Sequence, residues 1–225
     1  MTAQEQRFLA SRSAGEVSAL WLRPANARAA LVLAHGAGAG MRHPFMEAVA
    51  TRLAERGVAT LRYQFPYMEE GSRRPDPPAL LVATVRSAVA CAAQRAEGLP
   101  LFAGGKSLGG RMTSTAAARE PLASVRGLVF LGFPLHAAGR PGAERGAHLR
   151  EVGIPMLFLQ GTRDALADLA LLRPLCESLG ARARLHVVEG GDHSFHARKR
   201  SGRSDDAVQD ELADAIASWM ECQAA

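Results

Sequence analysis

Short apolar runs alternate along the chain with longer segments in which apolar residues recur every three or four positions. The short runs are typical of strands buried on both faces, and the longer pattern is typical of amphipathic helices. The runs predict strands at residues 29–34, 58–63, 99–103, 125–132, 154–160 and 184–188, with an alternating edge strand at 16–23. The helical pattern predicts helices at residues 44–56, 79–95, 108–119, 165–179 and 205–222. Such alternation builds βαβ units, so we expect an α/β fold with a mainly parallel sheet and helices on both faces.

The strand predicted at 99–103 leads into Gly105-Lys106-Ser107-Leu108-Gly109, which matches the pattern G-x-S-x-G. In this pattern a serine occupies a sharp turn between strand and helix, and small neighbours let the two backbones approach. The letters G-K-S also occur in phosphate-binding loops. That motif needs a glycine where this chain has Pro100, and a loop where it has apolar strand residues. The sequence therefore predicts that Ser107 is a nucleophile.

Two other predicted strands end near side chains that a nucleophilic serine requires. Asp164 follows the strand at 154–160, and His193 follows the strand at 184–188. Because the carboxyl ends of parallel strands share one edge of the sheet, we expect Ser107, Asp164 and His193 to converge. His193 would accept the serine proton, and Asp164 would orient the imidazole. Three further residues could serve as the acid or the base of the triad, but their positions relative to the ends of the predicted strands are less favourable than those of Asp164 and His193. These residues are Asp168, His186 and His196.

The glycine-rich loop after the strand at 29–34 predicts the remaining part of a catalytic site. An oxyanion hole of this type combines the backbone N–H after the nucleophile with one from such a loop. The expected donors are Leu108 and either Ala37 or Gly38. We expect His35 to be a structural residue that hydrogen-bonds this loop.

Substrate contacts are expected from the segments that follow the strands. Loops 64–78 and 133–146 are too short to form a lid domain, so the site should be open. The residues expected to form the walls of the site or to contact the substrate are Phe65, Tyr67, Phe133, Leu135 and His43. We expect small acyl groups, or a large substrate that approaches freely. The basic segment 198–203 is expected to be a solvated loop.

Composition narrows the function further. The chain has 225 residues, which fits a single domain spanning 1–225. A net charge of +5 with 5% aromatic residues gives no stacking surface for nucleic acid. No apolar run is long enough to cross a membrane. The three cysteines are widely spaced and form no metal or redox motif, so we expect a cytoplasmic protein. We also expect that a Ser107, Asp164 and His193 triad would work without metal or organic cofactor.

The chain resembles the α/β-hydrolase superfamily over nearly its whole length. In detail it is similar to the small capless branch that includes dienelactone-hydrolase-like proteins and the testis-expressed protein/NSL-complex subunit group. Four motifs carry this resemblance: H-G-A-G-A-G-M-R-H-P-F-M at 35–46, G-G-K-S-L-G-G-R-M at 104–112, Q-G-T-R-D at 160–164 and G-D-H-S-F at 191–195.

The resemblance implies a serine hydrolase that cleaves an ester or thioester through an acyl-enzyme, with Ser107, Asp164 and His193 as its triad. Dienelactone hydrolases use cysteine as nucleophile, whereas position 107 is serine, which argues against a lactone-specific activity. The NSL-like relatives are associated with complex assembly, so a non-catalytic interaction module on the same fold is an alternative. A serine peptidase shares the triad and is a second alternative.

Overall fold

The computed structural model describes residues 2–198 and 202–224, and at its centre is an eight-stranded sheet. The strands are β1 (Gln4–Ser11), β2 (Gly15–Leu22), β3 (Ala29–Ala34), β4 (Val58–Tyr63), β5 (Leu101–Lys106), β6 (Val125–Leu131), β7 (Met156–Gly161) and β8 (Ala183–Val188). Their spatial order is β1-β2-β4-β3-β5-β6-β7-β8. β1 and β2 pair antiparallel, as do β2 and β4, and every other neighbouring pair is parallel. The predicted α/β class with a mainly parallel sheet is confirmed.

Helices cover both faces of the sheet. They are α1 (Pro44–Glu55), α2 (Pro66–Glu69), α3 (Pro78–Ala96), α4 (Leu108–Arg119), α5 (Leu169–Ser178) and α6 (Asp205–Ala224), with 3₁₀ turns at Glu144–Glu151 and Gly180–Arg182. α1 and α6 pack together on one face, whereas α3, α4 and α5 pack on the other. No lid domain occurs within residues 2–198 and 202–224. None of the described helices combines the length and apolar character that a membrane span needs.

β3 shows why the central strands are continuously apolar. Ala30, Val32 and Ala34 belong to the core under α3 and α4. The intervening residues Leu31 and Leu33 belong to the core under α1 and α6. Successive side chains of a strand point to opposite faces, so a strand covered on both faces needs an apolar residue at every position. This constraint explains why the predicted bounds of β3 match the structure. Those predicted for β4 match as well.

The N-terminal edge of the sheet differs from the prediction. Residues 16–23 were expected to form the edge strand, but β1 lies outside β2 and forms the edge. In β1 only Phe8 and Ala10 are buried. An edge strand with so few buried positions carries a weak apolar signal, which is why the sequence pattern did not reveal it.

Several element bounds also differ from the prediction. β5 continues to Lys106, directly before the serine turn, and α2 interrupts the expected loop 64–78. The helix expected to begin at 165 begins at Leu169, because Asp168 caps it by accepting a hydrogen bond from the Ala170 amide. Of the basic segment 198–203, residues 199–201 lie outside the described residues. Arg203 in this segment forms an ion pair with Glu211.

The functional edge of the sheet lies where β3 and β5 are neighbours. The chain leaves β3 toward β4 on one side and enters β5 on the other, so a crevice opens between their carboxyl ends. Here the backbones nearly touch. A Cβ atom added at Gly105 would lie 2.3 Å from the Ala34 carbonyl oxygen, and one added at Gly109 would lie 2.5 Å from it. The glycines on both sides of Ser107 are therefore required by packing against β3.

Replacing Gly109 by alanine should destabilise the protein by roughly 1–3 kcal/mol, because the new methyl group must displace the backbone of β3. Urea unfolding measures this change. Gly153→Ala is the matched control, because a Cβ there would meet no atom within 4 Å. Equal stability of the two variants would contradict the close-packing argument.

Candidate active site

Ser107 occupies a strained turn between β5 and α4. Its φ of 51° and ψ of −115° lie in a region that L-residues rarely adopt. Its amide donates a 3.1 Å hydrogen bond to the Leu131 carbonyl of β6, which ties the turn to the neighbouring strand. The strain is held in place by the packing of the sheet. It is typical of a serine at a nucleophile elbow.

The side chains of Ser107, His193 and Asp164 form one hydrogen-bonded chain. His193 Nε2 lies 2.9 Å from Ser107 Oγ, and His193 Nδ1 lies 2.7 Å from Asp164 Oδ2. An ionised carboxylate accepts but cannot donate, so Nδ1 carries a proton and donates a hydrogen bond to Asp164. In the tautomer protonated at Nδ1 alone, the Nε2 lone pair faces the serine hydroxyl. The structure thus brings together the three residues that the sequence placed after separate strands.

Asp164 is itself held by groups that sequence reasoning missed. The amide Nε2 of Gln160 donates a 2.5 Å hydrogen bond to Asp164 Oδ2, and the backbone N–H of Leu166 donates a 2.8 Å bond to Oδ1. Gln160 is fully buried at the end of β7. The sequence signal that could have identified Gln160 is its position as a polar residue at the end of an otherwise apolar strand. These bonds fix the carboxylate in its orientation toward His193.

The loop that carries His193 is anchored on both sides of the imidazole. The Asp192 carboxylate accepts hydrogen bonds from the amides of Ser194 (2.8 Å) and His196 (3.0 Å). Phe195 is buried and stacks on Phe45 at the start of α1, with ring centroids 5.8 Å apart. These contacts fix the loop, so His193 is held over the serine.

The competing acid and base candidates have other partners. Asp168 caps α5, 2.8 Å from the Ala170 amide. His186 bonds Glu211, and His196 bonds Asp205. Each of these side chains is therefore engaged in local structure. The predicted helix 165–179 included Asp168, but α5 begins only after this residue, so the predicted start of the helix is wrong.

His35 orients the glycine-rich loop after β3. Its Nδ1 donates a 2.7 Å hydrogen bond to the Gly36 carbonyl, and its Nε2 accepts a 3.1 Å bond from the Phe65 amide. The Gly36 carbonyl and the Ala37 N–H belong to one trans peptide, so they point in opposite directions. Because His35 hydrogen-bonds this carbonyl, it also fixes the direction in which the Ala37 N–H points. Burial lowers the pKa of His35 to about 4, which keeps the ring neutral.

The structure distinguishes between the two expected loop donors. The Gly38 amide donates a 3.3 Å hydrogen bond to the Tyr67 hydroxyl. Ala37 borders the cavity beside Ser107, whereas Gly38 does not. Of the two loop residues, Ala37 is therefore the one that lies beside the cavity.

A cavity of about 630 Å³ opens beside Ser107. Apolar side chains at the start of α1 form much of its wall, including Pro44, Phe45 and Met46. His43 also borders it, as expected, while its Nδ1 accepts a hydrogen bond from the Phe45 amide. In the described residues, no group of three or more His, Cys, Asp or Glu side chains is arranged to hold a metal ion.

Four of the expected wall residues do not border this cavity. Phe65, Tyr67, Phe133 and Leu135 are at most 1% exposed and belong to the core under α3 and α4. The prediction that they line the site is wrong. Aromatic residues in loops close to strand ends are drawn into the core because burying them removes a large apolar surface from water. Tyr67 instead supports the loop that contains Gly38.

The fold and the site together define an α/β protein of the hydrolase type without a lid domain. The chain belongs to the alpha/beta hydrolase domain family, whose model matches residues 27–221. The predicted superfamily is therefore confirmed.

Solved structures share this fold at low sequence identity. A dienelactone hydrolase from Anabaena variabilis is 22% identical with a TM-score of 0.77, covering 99% of both chains. A lidless serine hydrolase from Xanthomonas campestris is 18% identical with a TM-score of 0.75, covering 97% of this chain and 95% of that one. The esterase domain of a Rhodothermus marinus protein is 16% identical with a TM-score of 0.72, covering 97% and 98%.

The buried neutral His35 predicts a specific pH dependence of stability. The folded ring has a pKa of about 4 and the unfolded ring about 6.5, so the unfolded chain binds the proton first as the pH falls. The contribution of the neutral His35 to the free energy of unfolding is fully present above pH 6.5. It is lost progressively as the pH falls toward 4. Between pH 7 and pH 4.5 the wild-type protein should lose about 2 kcal/mol more than His35→Gln in urea unfolding. The exposed His43→Gln should keep the wild-type loss, and an identical loss in all three proteins would contradict this assignment.

Proposed function

We propose that this protein is a serine hydrolase that cleaves a carboxylic ester or thioester through an acyl-enzyme. The observation that carries the proposal is the continuous hydrogen-bonded chain from Ser107 Oγ through His193 to Asp164, at 2.9 and 2.7 Å. A serine hydroxyl is a weak nucleophile at neutral pH, and a positioned imidazole supplies the base that it needs. Membership of the hydrolase family supports the same chemistry.

In the first half of the reaction, Ser107 Oγ attacks the carbonyl carbon while its proton passes to His193 Nε2. Asp164 stabilises the imidazolium that forms. The carbonyl oxygen becomes an oxyanion, for which we assign the backbone amides of Ala37 and Leu108 as donors. Such a donor contributes on the order of 3 kcal/mol to lowering the barrier. The bond to the leaving group then breaks, and His193 gives its proton to the departing alcohol or thiol.

In the second half, water attacks the acyl-enzyme and gives a proton to His193 Nε2. The bond from Ser107 Oγ to the acyl carbon breaks as the serine takes that proton back. The products are a carboxylic acid and a regenerated serine. Each proton is returned, so the cycle needs no metal or organic cofactor. The proposal gives Ser107, Asp164 and His193 the roles that the sequence predicts for them.

We propose a small ester-like substrate rather than nucleic acid or a membrane lipid. The cavity of about 630 Å³ is of the size that holds a small molecule. Its wall is apolar near α1 and polar at His43, His196 and Gln209. This arrangement favours a short acyl or alcohol group with a polar substituent. A cytoplasmic location remains part of this proposal.

A fluorophosphonate probe tests whether Ser107 is the nucleophile. The folded wild-type protein should be labelled, and Ser107→Ala should lose both labelling and hydrolysis of p-nitrophenyl acetate. Ser114→Ala is a matched control, because Ser114 is also hydrogen-bonded to a histidine, His148, but is buried inside α4. Its labelling should be unchanged. A folded wild-type protein that is neither labelled nor active would favour the interaction-module alternative.

The same assay separates esterase from peptidase activity. p-Nitrophenyl esters of increasing chain length should be hydrolysed, with kcat/KM falling once the acyl chain outgrows the cavity. Aminoacyl anilides should be hydrolysed far more slowly. Faster cleavage of the anilides would replace the esterase proposal by the peptidase alternative.

Two aspartates four residues apart test the acid assignment. Asp164→Asn should lower kcat by roughly 10³–10⁴-fold, because an amide cannot hold the imidazole in the reactive tautomer. Asp168→Asn should keep activity, because its side chain caps α5. Steady-state kinetics at pH 7.5 measure both. A large loss in Asp168→Asn with full activity in Asp164→Asn would reverse the assignment.

A further inference from the structure

Lys106 is unusual because lysine is rare in this chain. Of the 27 basic residues only two are lysines, Lys106 and Lys199. Lysine carries its charge on a compact ammonium that can be buried and can lose its proton, whereas arginine stays charged. Lys106 directly precedes Ser107, at a position where the G-x-S-x-G pattern accepts any residue. The sequence pattern therefore gives no reason for a lysine here.

The Lys106 ammonium is buried close to the hydrogen-bonded pair of Asp164 and His193. A Cβ atom added at Gly132 would lie 3.1 Å from Lys106 Nζ, 3.4 Å from Asp164 Oδ2 and 3.5 Å from His193 Cε1. These three atoms therefore surround the same small space at the end of β6. Gly132 leaves this space open, and its φ of 67° also favours glycine.

This ammonium has no hydrogen-bond partner among the described residues, although Nζ is buried. The Phe195 ring lies 5.6 Å away on one side. The titratable groups that face the ammonium are Asp164, after β7, and Asp192 and His193, after β8. A buried cation without a hydrogen bond lowers stability. Its place in the fold is therefore not explained by a contribution to stability.

We propose that Lys106 is a positioning residue that acts electrostatically on the triad, keeping His193 in its neutral, proton-accepting form. The inference rests on the proposed serine hydrolase function. A positive charge behind the ring opposes a second positive charge on the imidazole, so the ring stays neutral at lower pH. The same charge favours the ionised form of Asp164. Both effects keep the base ready to accept the serine proton.

The effect of Lys106 itself changes with pH. Burial lowers the pKa of Lys106 to about 8, and the nearby Asp164 and Asp192 limit the decrease. Lys106 is therefore charged below about pH 8 and neutral above it. Its influence on His193 should be present at neutral and acidic pH and absent in alkaline solution. A purely structural role would not change in this way.

The pH profile of kcat/KM for Lys106→Met tests the proposal with p-nitrophenyl acetate. Methionine keeps an unbranched side chain of similar length and removes the charge. The acid limb of the variant should lie about one pH unit higher, giving a several-fold lower kcat/KM at pH 6. Above pH 8 the two profiles should converge. Coincident acid limbs, or an equal loss at every pH, would overturn the proposal.

Arg12→Met, in the exposed turn between β1 and β2, controls for the loss of one positive charge from the protein as a whole. Its acid limb should match the wild type. A shift in Arg12→Met as large as that in Lys106→Met would attribute the effect to net charge and overturn the proposal.

A second measurement does not depend on turnover. The Cε1–H signal of His193, assigned by its loss in His193→Gln, is followed by NMR titration in the Ser107→Ala protein with and without Lys106→Met. The midpoint should rise by about one pH unit when the lysine is absent. An unchanged midpoint would refute the electrostatic role. If the wild-type protein proves inactive, the serine hydrolase proposal fails while this titration still decides how Lys106 acts on His193.

Discussion

The close approach of three backbone segments, β3, β5 and α4, is the constraint on which the site depends. The Ala34 carbonyl of β3 contacts the chain at Gly105 and Gly109, on both sides of Ser107. Because no side chain fits between these segments, the turn at Ser107 is sharp and its φ is positive. The same contact holds the carboxyl end of β3 beside the serine. Ser107 and the glycine-rich loop are thus positioned by one packing contact.

Hydrogen bonds from buried groups complete this arrangement. Gln160 and the Leu166 amide fix the Asp164 carboxylate, and His35 fixes the peptide that carries the Ala37 N–H. These groups hold the residues that we assign to the reaction without themselves taking part in it. Lys106 differs from them, because its buried ammonium has no hydrogen-bond partner in the part of the chain that the structure describes. Burying such a charge costs stability, and it lies close to the residues that we assign to catalysis.

The sequence reveals those features that depend on local pattern. A continuous apolar run predicts β3, because a strand covered on both faces needs apolar residues throughout. The glycines around Ser107 predict the turn, and the positions of Asp164 and His193 after their strands predict convergence at one edge. β1 carries few buried residues, so its pattern is weak. The start of α5 was misplaced because Asp164 and Asp168 are both aspartates suited to cap a helix.

The sequence by itself determined the α/β class, the strained serine turn and the identity of the three residues that converge. Only the tertiary structure decided that Phe65 and Phe133 are core residues, that Phe45 borders the cavity and that Gln160 holds Asp164. It also decided that the Lys106 ammonium lies in the space left by Gly132. Periodicity reports whether a residue is apolar and which element it belongs to. The neighbours of a side chain depend on segments distant in sequence, and these meet only when the sheet has formed.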